Sequence, residues 1–202
     1  MGSLYQKKNT IPHIPVYMDS PMGKNVLGVF QNNKEWHRLS SDECNEMCKD
    51  IITVQTVQDT WKLARDEHPK IIIAGAGMAS GGRVLTYFQN YLGDPNATIL
   101  LVGYQAEGTR GRSLLEGATE IKLYGKFYPV KAKTINIGGL SAHADQRELI
   151  NWLDKITKKP EHIYIVHGEK DGAEGLKNKI KEVYGWDCEI PELYQIKDAE
   201  LV

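Results

Sequence analysis

Ile71-Ile72-Ile73-Ala74-Gly75-Ala76-Gly77-Met78-Ala79-Ser80-Gly81-Gly82-Arg83 passes from four apolar residues straight into a glycine-rich run. The apolar residues predict a strand, and the residues after Arg83 predict a helix. Val84, Leu85, Phe88 and Leu92 recur at the spacing of one buried face, and Gly93-Asp94-Pro95 ends it. A glycine loop between strand and helix lets backbone N–H groups approach a phosphate at the positive end of the helix, and Arg83 adds a charged fork. A tight turn that simply needs glycine fits the spacing equally well. A dinucleotide fingerprint fits worse. Gly75-x-Gly77 follows a strand, yet Ser80 stands where the third glycine belongs, and the acid about twenty positions on is Asp94, in a helix-ending turn.

Outward from this stretch, short apolar runs alternate with amphipathic ones, the pattern of an α/β protein with a parallel sheet. Ile14 to Met18 predicts a first strand, ending in Asp-Ser-Pro. Ser40-Ser41-Asp42 predicts the cap of a helix running through Ile51, and Val57 to Arg65 another helix. Thr98 to Val102 is continuously apolar, as expected for a strand covered on both faces. Val130 to Ile137 alternates like a half-buried strand. Asp145-Gln146-Arg147-Glu148 resembles a capping box opening a helix that buries Leu149, Trp152, Leu153 and Ile156. Ile163 to Val166 and Glu189 to Ile196 predict further strands, with a helix marked by Leu176, Ile180 and Val183 between them.

The 202 residues carry 25 basic and 26 acidic side chains, so no global charge marks a nucleic-acid binder. The distribution is uneven: residues 83–133 hold 7 basic and 4 acidic side chains, residues 134–202 hold 9 and 13. Contact with nucleic acid is therefore expected as a local patch. Cys44, Cys48 and Cys188 form neither a CxxC pair nor an even set, which argues against a disulfide framework or a cysteine zinc site. No apolar run reaches membrane-spanning length and the first residues contain no signal-peptide core, so a cytoplasmic protein without membrane contact is expected.

Three further constellations can carry chemistry. Gly103-Tyr104-Gln105-Ala106-Glu107-Gly108-Thr109-Arg110-Gly111-Arg112 follows a strand and is expected on the same sheet rim as the first loop. Tyr104, Arg110 and Arg112 suit an unpaired base and a phosphodiester chain, although solvated arginines at a helix start fit the spacing too. Ser141-Ala142-His143-Ala144-Asp145 and Val166-His167-Gly168-Glu169 place a histidine at each of two strand-to-helix turns. Either histidine alone reads as readily as a polar surface residue, and a helix cap accounts for Asp145.

Together the runs GMASGGR (77–83), ILLVGYQAEGTRGRSLLEGA (99–118), SAHADQREL (141–149) and VHGE (166–169) resemble the second half of β-CASP proteins of the metallo-β-lactamase superfamily. The similarity extends from about Pro15 almost to the C-terminus. It implies that residues 1–128 form the distal part of a Rossmann-like β-CASP domain, a parallel sheet flanked by helices. Residues 129–202 would be the C-terminal strands and helices of a metallo-β-lactamase fold, the RNA-metabolising tail.

By the same resemblance His143 matches the motif B histidine, beside the scissile phosphate. His167 matches the motif C histidine, a zinc ligand, and histidine there points to RNA over DNA. Ser80, Gly81, Gly82, Arg83, Tyr104, Arg110, Arg112 and Ser141 are the expected RNA and phosphate contacts. The family's His-x-His-x-Asp-His ligand motif has no counterpart among His13, His37, His68, His143, His162 and His167. Asp19 falls in the β-CASP part and is not the family's motif A acid.

The expectation is thus a fragment of a zinc-dependent RNA hydrolase acting in 3′-end processing or decay, with too few ligands of its own to hold a zinc pair. Its expected partners are RNA, the upstream metallo-β-lactamase half of the parent chain, and a second copy in a homodimer. The alternatives are a non-catalytic RNA-binding or scaffold member of the same fold, and a nucleotide-cofactor enzyme using the Gly75 loop.

Overall fold

The computed structural model describes residues 12–140 and 143–197. The chain forms two compact units, divided between Leu140 and Ser141.

In the first unit, β1 (Val16–Asp19) lies between β2 (Ile51–Thr53) and β3 (Ile71–Ala74) in a parallel sheet. Val16 pairs with Ile51 on one side and Ile71 on the other. Between β1 and β2 run α1 (Pro21–Asn32) and α2 (Ser41–Lys49). Sequence periodicity assigns no element to residues 21–32, for physical reasons. Gly23 and Gly28 lower helix propensity, and Met22, Val26 and Val29 stay exposed, so no buried stripe announces α1. Its start is nonetheless set locally, by Pro21 in the first turn and by Ser20 Oγ accepting from Gly23 N at 3.0 Å. The expected helix through Ile51 ends two residues earlier, because Ile51 pairs with Val16 in the sheet.

α3 (Val57–Arg65) opens with a reciprocal Thr56–Asp59 cap and lays Leu63 and Ala64 against Tyr17 and Ile72. After β3 and the glycine loop comes α4 (Val84–Tyr91), as the spacing predicts. It sits between two clusters: Tyr87 packs with Leu63 and Ala64, while Leu85, Phe88 and the capping Leu92 pack with Leu101, Leu114, Ile121 and Leu123. Leu92 and Leu123 are fully buried, each contributing roughly 1.5–3 kcal/mol.

β4 (Thr98–Val102) pairs in parallel with β7 (Lys133–Ile137), Leu100 opposite Ile135 and Val102 opposite Ile137. The expectation that β4 is covered on both faces fails: Leu101 is buried, but Leu100 and Val102 on the other face are about half exposed. α5 (Arg110–Leu115) leads into the antiparallel hairpin β5 (Glu120–Leu123) and β6 (Lys126–Pro129). Tyr124 and Gly125, both at positive φ, make its two-residue turn. The single strand expected over 130–137 therefore starts later. Residues 130–132 cross over, with Lys131 and Ala132 both donating to Leu92 O.

The second unit holds α6 (Gln146–Leu153) and α7 (Lys170–Tyr184). The expected capping box at α6 is present, Glu148 N donating to Asp145 Oδ1 at 2.8 Å and Asp145 N to Glu148 Oε2 at 2.9 Å. Leu153, Ile165, Ala173 and Ile180 form the core, with Ile150, Ile163, Leu176 and Trp186 around it. Trp152 is two-thirds exposed, against expectation; Leu153 and Ile150 take the buried face. The segments expected as strands make one isolated parallel bridge, Tyr164 with Glu189, held by Ile165 N to Glu189 O and Glu189 N to Ile163 O. No helix of the described residues is long and apolar enough to cross a membrane.

Candidate nucleic-acid interface

Each half of the candidate interface begins where a strand ends. β3 delivers the chain into Gly75–Arg83, and β4 delivers it into Gly103–Thr109 and α5. The second loop grips the first through its backbone carbonyls. Gln105 Nε2 donates to Gly77 O at 2.8 Å, Gly111 N to Met78 O at 3.0 Å, and Arg110 Nη1 to Ser80 O at 3.1 Å and Ala79 O at 3.4 Å. Four consecutive carbonyls, Gly77 to Ser80, thus accept from the second loop and the helix it opens. Because C=O and N–H point oppositely across a trans peptide, the N–H groups of Ser80 and Gly81 face away from the second loop. Gly82 at φ 75 followed by Arg83 at φ −66 gives the left–right backbone alternation that forms anion-binding concavities. Gly82 is required there: a Cβ would stand 3.0 Å from Gly75 O on a left-handed backbone.

Gln105 is buried, and its Oε1 has no partner among the described residues. It lies against Gly111, where a Cβ would come within 1.7 Å of it. Loop-to-loop contact therefore depends on a glycine at 111. The sequence reading takes Gln105 only as part of a loop. Its signal is a long amide directly after a strand end, beside small residues that admit it.

The three expected arginine contacts all have protein partners. Arg110 also donates from Nε to Lys122 O at 2.8 Å, and so ties the rim to β5. Arg112 pairs with Glu116 at 2.6 Å and reaches Gln105 O at 3.4 Å. Arg83 forms an ion pair with Asp19, whose carboxylate is fully buried at the end of β1. Thr60 Oγ1 at 2.7 Å and the Tyr87 hydroxyl at 2.5 Å donate to the other oxygen of Asp19. Burial, reinforced by the hydrogen bond to Asp19, pushes the Tyr87 phenol far above its usual range. Asp19 is the residue that sequence reasoning left without a role; its signal is the Arg83/Tyr87 pair, spaced i, i+4 on one helix face.

Ser80 and Gly82 are exposed, Gly81 is partly buried, and Tyr104 is half exposed. Ser141 lies outside the described residues. His143 and His167 belong to the second unit, and both are exposed. His167 adopts a left-handed backbone, φ 63, between the Tyr164 bridge and the start of α7, a conformation uncommon outside glycine. Among the described residues no group of three or more His, Cys, Asp or Glu side chains could hold a metal ion.

Residues 2–114 match the Beta-Casp domain family, and residues 128–191 match the Zn-dependent metallo-hydrolase RNA specificity domain. The second match begins within β6 and so crosses the division between the compact units. An RNase J-like protein of Methanocaldococcus jannaschii is 43% identical over 168 residues, 82% of this chain and 38% of that protein. Transcription termination factor FttA of Pyrococcus horikoshii is 39% identical over 189 residues, 88% of this chain and 29% of that protein. Ribonuclease TTHA0252 of Thermus thermophilus is 30% identical over 175 residues, 83% of this chain and 39% of that protein. The chain thus spans 29–39% of the length of these three relatives. With the parallel sheet, the two strand-end loops and both domain matches in place, the chain belongs to the β-CASP metallo-β-lactamase family of RNA nucleases.

Proposed function

We propose that this chain is the RNA-engaging part of a longer, zinc-dependent RNA phosphodiester hydrolase. The observation that carries the reading is the loop-to-loop grip. It fixes the glycine loop with N–H groups outward and a left–right backbone turn, the means by which a protein holds phosphate without reading sequence. Tyr104, half exposed on the second loop, offers a stacking face for an unpaired base.

In this reading the described chain contributes His167 as a single metal ligand, and the other ligands come from the rest of the longer protein. His143, at the turn before the α6 cap, donates a proton to the leaving oxygen. Hydrolysis in RNA 3′-end processing or decay, a cytoplasmic site of action and a homodimer belong to the same proposal. A non-catalytic RNA-binding scaffold of the same fold is the rival reading.

The test is to make His143→Ala and His167→Ala in the full-length protein and measure bound zinc and single-turnover RNA cleavage. His167→Ala loses metal and activity together. His143→Ala keeps its zinc and slows cleavage by roughly 10² to 10⁴, the worth of positioned proton transfer. Equal zinc loss in both variants, or near-normal cleavage in either, contradicts the assignment of these roles.

A further inference from the structure

Asp19 and Arg83 meet 64 positions apart in sequence, and their geometry is lopsided. One oxygen of Asp19 takes two hydroxyl donors, Thr60 from α3 and Tyr87 from α4, so the plane of the carboxylate is fixed from two helices. The other oxygen takes Arg83 through Nη1 alone. An arginine that serves only as a counter-ion gains most from a two-pronged pair with the carboxylate. Here the Nε and Nη2 groups have no partner among the described residues, and the side chain is 21% exposed, at the exit of the glycine loop. A buried ion pair is in any case weak evidence of stabilisation, since desolvation offsets much of its attraction.

We propose that Asp19 is a positioning residue for RNA binding: it holds Arg83 by one nitrogen so that the remaining guanidinium N–H groups meet a phosphodiester at the glycine loop. The inference rests on the reading that this loop binds RNA. It is distinct from a purely electrostatic role, which has the opposite sign. If Asp19 only cancelled the charge of Arg83, its neutralisation would tighten RNA binding. If it positions Arg83, its neutralisation loosens binding.

The experiment uses full-length protein stripped of metal, so that a labelled single-stranded oligoribonucleotide is bound and not cut. Affinity is measured across a salt series for wild type, Arg83→Ala, Asp19→Asn and the double variant. Arg83→Ala weakens binding several-fold and lowers the salt slope by ~0.7, one phosphate contact on a single strand. Asp19→Asn shifts both quantities in the same direction, and the double variant is no worse than Arg83→Ala. Tyr87→Phe, which keeps both charges and removes one hydroxyl that fixes the carboxylate, gives a smaller loss that vanishes in the Arg83→Ala background. It decides the matter should Asp19→Asn not fold. Unchanged or tighter binding in Asp19→Asn, or losses that add to those of Arg83→Ala, overturn the role of Asp19 while the RNA reading of the loop stands. Unchanged affinity and slope in Arg83→Ala overturn that reading, and the inference with it.

Discussion

Thr60 contributes to stability through a hydroxyl whose partner is the fully buried Asp19 carboxylate. Thr60→Val keeps the shape and removes the donor, and a hydrogen bond to a charged group contributes about 1.5–3 kcal/mol, so denaturant unfolding registers a loss of that order. Thr60→Ser, which retains the hydroxyl, recovers most of it. Gly111→Ala acts by another route. The added methyl meets Gln105 Oε1, and displacing that side chain releases the hydrogen bond to Gly77 O and with it one carbonyl of the grip. RNA affinity falls in Gly111→Ala more than in Gly117→Ala, where the added Cβ meets open space although the backbone is left-handed. An equal loss in both variants, with matched stability, shows that the grip does not present the loop.

At the scale of elements, the sequence disclosed what local chemistry decides and hid what tertiary pairing decides. The box at Asp145–Glu148, the α4 stripe and the β3 strand are local, and each stands where its residues put it. Ile51 looked like the last turn of a helix because pairing with Val16, 35 positions away, carries no local mark. The β5–β6 hairpin was hidden for a related reason. Its turn uses Tyr124 at φ 48, a residue with no turn signature. Tyr124→Asn relieves that strain and raises the thermal midpoint, and an unchanged midpoint argues that the turn is not strained. Of the candidate site, the two rim loops were legible because glycine and arginine cluster after strands. The Asp19 partnership was not, since it joins three elements. The α3–β3 connection adds a pH effect. The His68 ring, then its backbone N–H, holds the Asp66 carboxyl at about 2, below its ordinary 3.8. A carboxyl lowered on folding stabilises above its unfolded value and loses that contribution as pH falls through the folded one. Wild type and His68→Ala therefore differ in stability above pH 3.8 and converge towards about pH 2; a gap that widens in acid contradicts the assignment.

For the whole molecule, the proposed function divides binding from chemistry. In the proposed function the two rim loops of the first unit take the phosphodiester chain, while the second unit carries two exposed histidines, His143 and His167. The described residues hold no set of ligands sufficient for zinc. If the remaining ligands come from the rest of the longer protein, as proposed, the purified 202-residue chain binds RNA without retaining stoichiometric zinc or turning over substrate; zinc retention with cleavage by this chain overturns the division. The most direct measurement is single-turnover RNA cleavage by the full-length protein in three states: loaded with zinc, stripped by chelator, and reloaded, with RNA affinity followed in parallel. The account predicts cleavage that is lost on stripping and restored on reloading, while RNA affinity changes little throughout. Cleavage that survives the chelator, or a zinc-loaded protein that binds RNA and leaves it intact, contradicts it.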